Sequence, residues 1–211
     1  GQAMTNLLTA IPGLAEYSGL ISIIFIKLPP IACDIAASAL IYRFALQRGM
    51  NQEQSGLMAL VMAFSPAFFL NSAAWCQMDS VLCLGLMLVA WLAMNRRWVW
   101  VLPIYVLCVL VKPQALMLGF LGLTAIIMAW IQHKEDRKGI LWGVAASVGL
   151  AALILIPFSI GQKWDWLITL YGKTLASYPY ATVNTANLYY LLDGNWASVT
   201  LSAGWVAPLV L

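Results

Sequence analysis

The sequence predicts an all-α membrane protein, a polytopic bundle of transmembrane helices with about six to seven spans. Three observations carry this expectation. The chain of 211 residues is 63% hydrophobic and only 9% charged, against about 25% charged residues in a soluble domain. Its apolar runs approach membrane-crossing length and are separated by polar breaks. Basic residues, finally, crowd alternate breaks, as the positive-inside rule requires. This composition excludes an ordinary soluble enzyme and a disordered chain. A net charge of +3, from 11 basic and 8 acidic residues, is too small for a nucleic-acid partner.

The elements follow in order. The first 26 residues lack the basic start of a signal peptide, and Pro12, Gly13, Glu16 and Gly19 interrupt their apolar residues. The apolar runs are 28–46, 55–74, 80–94, 98–111, 113–131, 139–160 and 197–211. A single helix over 98–131 would reach roughly 51 Å at about 1.5 Å per residue, so Lys112-Pro113 is read as the tip of a helical hairpin. Proline disrupts the helical ladder there and lysine avoids hydrocarbon. The chain neither begins with Met nor closes its last span, so 1–211 is expected to be one transmembrane domain of a longer protein, truncated at both ends. No internal repeat suggests the paired halves of a secondary transporter.

Charge sets the expected sidedness. Arg43, Arg48, Arg96, Arg97, Lys134, Arg137 and Lys138 fall on breaks that an up-down topology places on the cytoplasmic face. Lys27, Lys112, Lys163 and Lys173 fall on the opposite, extracytoplasmic face. Trp75, Trp98, Trp100, Trp130, Trp142, Trp164 and Trp166 lie near span ends, where an aromatic belt belongs. The expected location is the cell membrane, with multiple passes.

The unusual polar residues gather on the extracytoplasmic side. They are Lys27-Leu-Pro-Pro with Asp34, the run Asn71 to Ser80 with Trp75, Gln77 and Asp79, Lys112-Pro-Gln114, and a stretch from Tyr178 through Asn195. The runs 80–94 and 98–111 reach only about 21–23 Å, which should leave Asp79 and Lys112 below the outer membrane surface. A charge at such depth costs about 2.5–3.5 kcal/mol unless it faces a wet or protein-lined cavity. Asp34 lies two helical turns beyond Lys27 on a similar face, with Ser38 one turn further. Asp34, Asp79 and Lys112 are therefore expected to meet in one recess, either as a polar pocket or as ion pairs holding helices together.

The long break 161–196 is expected to be an extracytoplasmic loop containing an interfacial amphipathic helix. Trp164, Leu167, Ile168, Tyr171 and Leu175 repeat at helical spacing, with Lys163, Asp165 and Lys173 elsewhere on the helix. The segment after it holds Tyr178, Tyr180, Asn184 and Asn187, rings and amides suited to stacking on and hydrogen-bonding a sugar. A capped loop before a short helix over 187–192 accounts equally well for Asn184 and Thr185. Cys33, Cys76, Cys83 and Cys108 form no CxxC pair and His133 is the only histidine, so no zinc set is available. A Cys33–Cys76 disulfide is left open.

Lys27-Leu-Pro-Pro-Ile-Ala-Cys-Asp34, Asn71-Ser-Ala-Ala-Trp-Cys-Gln-Met-Asp-Ser80, Val111-Lys-Pro-Gln-Ala115 and Asn184-Thr-Ala-Asn-Leu resemble, in this order, motifs of bacterial relatives of the GPI mannosyltransferases. These belong to the GT-C superfamily of polytopic glycosyltransferases, and the resemblance covers almost the whole chain. Cys76 departs from the usual Gly after the Trp, and Thr182-Val-Asn-Thr185 from the usual Ser-Val-Asn-Ala. The resemblance implies a GT-C-like fold and inverting transfer of a hexose, in this family mannose, from a polyprenyl-phosphate sugar on the extracytoplasmic face. The acceptor would be a glycan, a lipid or a protein. The acidic catalytic residue of such enzymes usually follows the first span, a region this chain is expected to lack. Asp79 and Asp34 are then expected as pocket acids orienting hydroxyls. Lys112 would hold the donor phosphate, with Gln77 and Gln114 as amide partners and Lys27, Trp75, Tyr178, Tyr180, Asn184 and Asn187 lining the substrate. Lone carboxylates could also hold Mg²⁺ or Mn²⁺.

Two other functions compete with transfer. A transporter or lipid-linked sugar flippase should carry polar residues near the bilayer midplane and on both sides of it, whereas here they collect at one end. A non-catalytic scaffold would use the same residues only to satisfy helix ends.

Overall fold

The computed structural model describes residues 17–74, 77–176, 180, 191 and 196. All regular elements among them are helices. In chain order these are α1 (Ser18–Gln47), α2 (Gln52–Ala63), α3 (Pro66–Phe69) running into a π-helical turn (Leu70–Ala74), α4 (Asp79–Met94) and α5 (Trp98–Val111). A 3₁₀ segment (Pro113–Leu118) then leads into α6 (Gly119–Gln132), followed by α7 (Asp136–Ser159) and α8 (Trp166–Ala176). Four stretches among the described residues are long and apolar enough to cross a membrane: 19–47, 52–74, 113–132 and 136–159. Only 6% to 17% of the residues in their most apolar windows are buried. Apolar helices exposed to this degree would aggregate in water, but they suit a lipid solvent. The helices α4 and α5, of 16 and 14 residues, are shorter.

Helix α1 begins ten residues before the predicted run at 28, and Pro29 and Pro30 lie inside it. Each proline removes a single N–H from the ladder. In a low-water medium the chain has no better partner for the remaining backbone groups than the helix itself, so two prolines do not end it. Lys27 is accordingly an interior helical residue. A Schellman closure ends α1: Met50 N–H donates to the Ala45 carbonyl at 3.1 Å and Gly49 N–H to Leu46 at 3.0 Å, with Gly49 at φ +84°. Asn51 then opens α2 through a capping box with Gln54.

Within the stretch 52–74, expected as one span over 55–74, the helix is interrupted at Ser65-Pro66, where α2 stops and α3 starts. The hairpin at Lys112-Pro113 forms as expected. Trp98 and Val101 of α5 pack with Ala129 and Ile126 of α6, and Gly119 lies against Tyr105, an antiparallel register. Helices α4 and α5 approach closely at Gly85, where a Cβ would lie 2.5 Å from Cys108 Sγ.

Trp98 corrects the aromatic-belt expectation. It is 6% exposed and forms a core with Val101, Ala129 and Ile140, flanked by Val89, Leu92, Ala93 and Ile126. Gly143 makes this possible, since a Cβ there would come within 2.6 Å of the Trp98 carbonyl oxygen. The ring is enclosed because α7 runs directly against the start of α5.

The chain divides into two compact units, 1–153 and 154–211, the boundary falling within α7. In the second unit, Trp166 Nε1 donates to Ser159 Oγ at 3.1 Å, tying the start of α8 to the end of α7. A helix, α8, forms where the interfacial helix is expected, with Ile168 exposed, Leu167 and Tyr171 half-buried and Trp164 just before its first turn. The expected helix over 187–192 and the span 197–211 lie outside the described residues.

Candidate functional site

Two motif residues, Asp79 and Lys112, meet at one end of the α4–α5 pair. Asp79 is the first residue of α4 and Lys112 the residue after the last turn of α5, so an antiparallel pair places them side by side. Lys112 Nζ donates to Asp79 Oδ1 in an ion pair. Their side chains are 35% and 38% exposed, half-covered rather than sealed. Tyr105, a lone hydroxyl in an otherwise apolar helix, donates to the Ala115 carbonyl at 3.0 Å and holds the turn that carries Lys112. Sequence reasoning passed over Tyr105, although a phenol inside an apolar run was the available signal.

Asp34 sits on the face of α1 formed by Pro30, Ala37, Ser38 and Ala45, all buried. It is 9% exposed, and its Oδ1 is buried without a hydrogen-bond partner among the described residues. Helix α1 packs against α4. Ser38 donates to the Asp34 backbone carbonyl at 2.9 Å rather than to the carboxylate. Lys27, on the same α1 face two turns earlier, is half-buried and has no ion pair among the described residues.

The remaining expected site residues divide in two. Gln77 and Gln114 are described and exposed. Tyr180 meets Trp196 edge to face, with centroids 5.1 Å apart, within the second unit. Trp75, Tyr178, Asn184 and Asn187 lie outside the described residues, as does Cys76, while Cys33 is a free thiol. Among the described residues no three His, Cys, Asp or Glu side chains converge on a possible metal position.

A cavity of about 520 Å³ lies between α4, α5 and α6. Its walls include Leu86, Val89, Val101, Tyr105, Leu118 and Ile126. Asp34, Asp79 and Lys112 do not line it, so it is an apolar groove separate from the charged residues.

The opposite end of the hairpin holds a second charged cluster that sequence reasoning treated as ordinary basic loops. Arg96 Nε donates to both oxygens of Asp136, at 3.1 and 2.9 Å, and its Nη2 to Glu135 at 2.7 Å. These hydrogen bonds, to Asp136 first and then Glu135, raise the Arg96 pKa. The Glu135 pKa is lowered, first by its own backbone N–H and then by Arg96. Arg96 occupies the left-handed region at φ 56°, the position after the α4 cap that usually belongs to glycine. Arg137 donates to the Trp130 carbonyl at 2.8 Å and lies over its ring, 5.4 Å from the centroid. Glu135 and Asp136, acidic residues in a basic loop, were the signal for this cluster.

Comparison with known protein families, curated proteins and solved structures gives no match for this chain.

Proposed function

We propose that the protein is a GT-C-like integral membrane glycosyltransferase. It transfers a hexose, mannose by the resemblance, from a polyprenyl-phosphate donor to an acceptor glycan, lipid or protein on the extracytoplasmic face. In this reading six to seven spans surround the site. The observation that carries it is the pairing of Lys112 with Asp79, which puts the cation of one motif against the acid of another although the two are far apart in sequence. Inverting transfer needs a cation to neutralise the departing phosphate and a carboxylate to take the acceptor proton. Lys112 supplies the cation as a point charge. Asp79 and Asp34 supply acceptors, and the unpartnered Oδ1 of Asp34 suits a sugar or acceptor hydroxyl, because a buried acceptor without a donor is costly. The short reach of α4 and α5, about 21–24 Å, supports a site sunk below the membrane surface, where a lipid-borne phosphate arrives. Gln77, Gln114 and Lys27 are proposed to border the substrate, and the 178–187 segment to contribute rings and amides to the sugar.

The test is transfer from a polyprenyl-phosphate sugar in detergent, with flux of the same lipid measured in liposomes. The full-length wild-type protein should transfer sugar, and Lys112→Ala in it should abolish transfer while remaining in the membrane. Normal turnover of the donor by that variant would remove Lys112 from the site. Flux without transfer would replace the reading with a flippase.

A further inference from the structure

Asp79 and Lys112 hold one another by a single contact, yet each charge is also compensated by its own helix. Asp79 lies in the first turn of α4, where the helix dipole favours a carboxylate. Lys112 caps the C-terminal end of α5, where it favours a cation. Neither side chain has another ion-pair partner among the described residues. Both are more than one-third exposed, so neither is sealed off from an incoming ligand. This differs from Arg96, whose partner Asp136 has only 8% of its side chain exposed.

Taking Lys112 as the phosphate ligand, as under Proposed function, we propose that Asp79 is a displaceable plug on Lys112. The phosphate ester of a lipid alcohol competes with the carboxylate for the ammonium. When the phosphate takes Lys112, Asp79 is released at the head of α4 as a free carboxylate able to accept a hydrogen bond from an acceptor hydroxyl. The acceptor is thereby engaged only after the donor has bound. Binding order follows from one cation serving two anions in turn, with no larger movement needed.

Farnesyl phosphate is the probe, titrated calorimetrically into the full chain in detergent micelles, with farnesol and inorganic phosphate separating the tail from the charge. Removing the competing carboxylate should tighten farnesyl phosphate binding roughly fivefold in Asp79→Asn. Asp79→Ser, which keeps a side-chain oxygen at the helix start, should behave alike and guards against a folding effect of the amide. Lys112→Met should lose the phosphate-dependent part of binding. Equal or weaker binding in both Asp79 variants, with Lys112→Met still defective, would overturn the displacement while leaving Lys112 as the ligand. Undiminished binding in Lys112→Met would overturn the phosphate role of Lys112 and the displacement with it.

Discussion

The two ends of the α4–α5 hairpin carry similar charges and use them differently. At the Arg96 end, one guanidinium makes three hydrogen bonds to two acids. That cluster sits beside the Trp98 core, and the chain tolerates a left-handed arginine to build it. At the Lys112 end a single contact joins two partly exposed side chains, and on α1 the buried Asp34 Oδ1 has no partner among the described residues. The first end is over-determined and fastens α4, α5 and α7 together. The second is held by one contact alone, and the proposed function rests on that difference.

Substitutions at the two ends should therefore separate activity from stability. The largest expected effect is on activity: Lys112→Ala should lower transfer by more than about 100-fold, with little change in thermal unfolding followed by circular dichroism. Arg96→Ala should show the reverse, a clearly lower Tm, because the nearly buried Asp136 loses its counter-ion. Arg96→Gly should fall less, since glycine adopts the left-handed backbone without strain, and the difference between the two variants reads that strain. Gly143→Ala places a methyl group against the Trp98 carbonyl and should cost about 1–3 kcal/mol in unfolding experiments. The smallest effect concerns pH. The Glu135 pKa is lowered in the folded state, so its contribution is present above the ordinary glutamate range and is lost as pH falls through the folded value. Tm should therefore decline slightly below about pH 4.5, and Glu135→Gln should flatten that decline.

Local chemistry made part of this legible in the sequence. Lys112-Pro113 marks a hairpin because proline and lysine each resist the interior of a membrane helix, and the turn appears where those two residues stand. The same residues do not act alike everywhere. Pro29-Pro30 next to Lys27 resembles a break, yet α1 runs through it because the flanking apolar residues have no better backbone partners than the helix. The meeting of Asp79 with Lys112 followed from helix lengths and alternation of direction, both readable from the sequence. Asp34, expected to join that pair in one recess, is buried on α1, and among the described residues no hydrogen bond or ion pair links it to Asp79 or Lys112. Arg96–Asp136 was not legible, because it joins residues 40 positions apart and depends on a left-handed turn that arginine rarely adopts. Trp98 looked like a belt residue because hydropathy does not reveal that Gly143 lets another backbone lie against it.

The most direct test of this division of labour is the transfer rate per folded molecule for Lys112→Ala and Arg96→Ala, with the folded fraction fixed by circular dichroism in the same sample. The expected result is a rate near zero for Lys112→Ala and a rate close to wild type for Arg96→Ala below its Tm. A near-wild-type rate for Lys112→Ala, or an equal loss in both variants at full helicity, would contradict it.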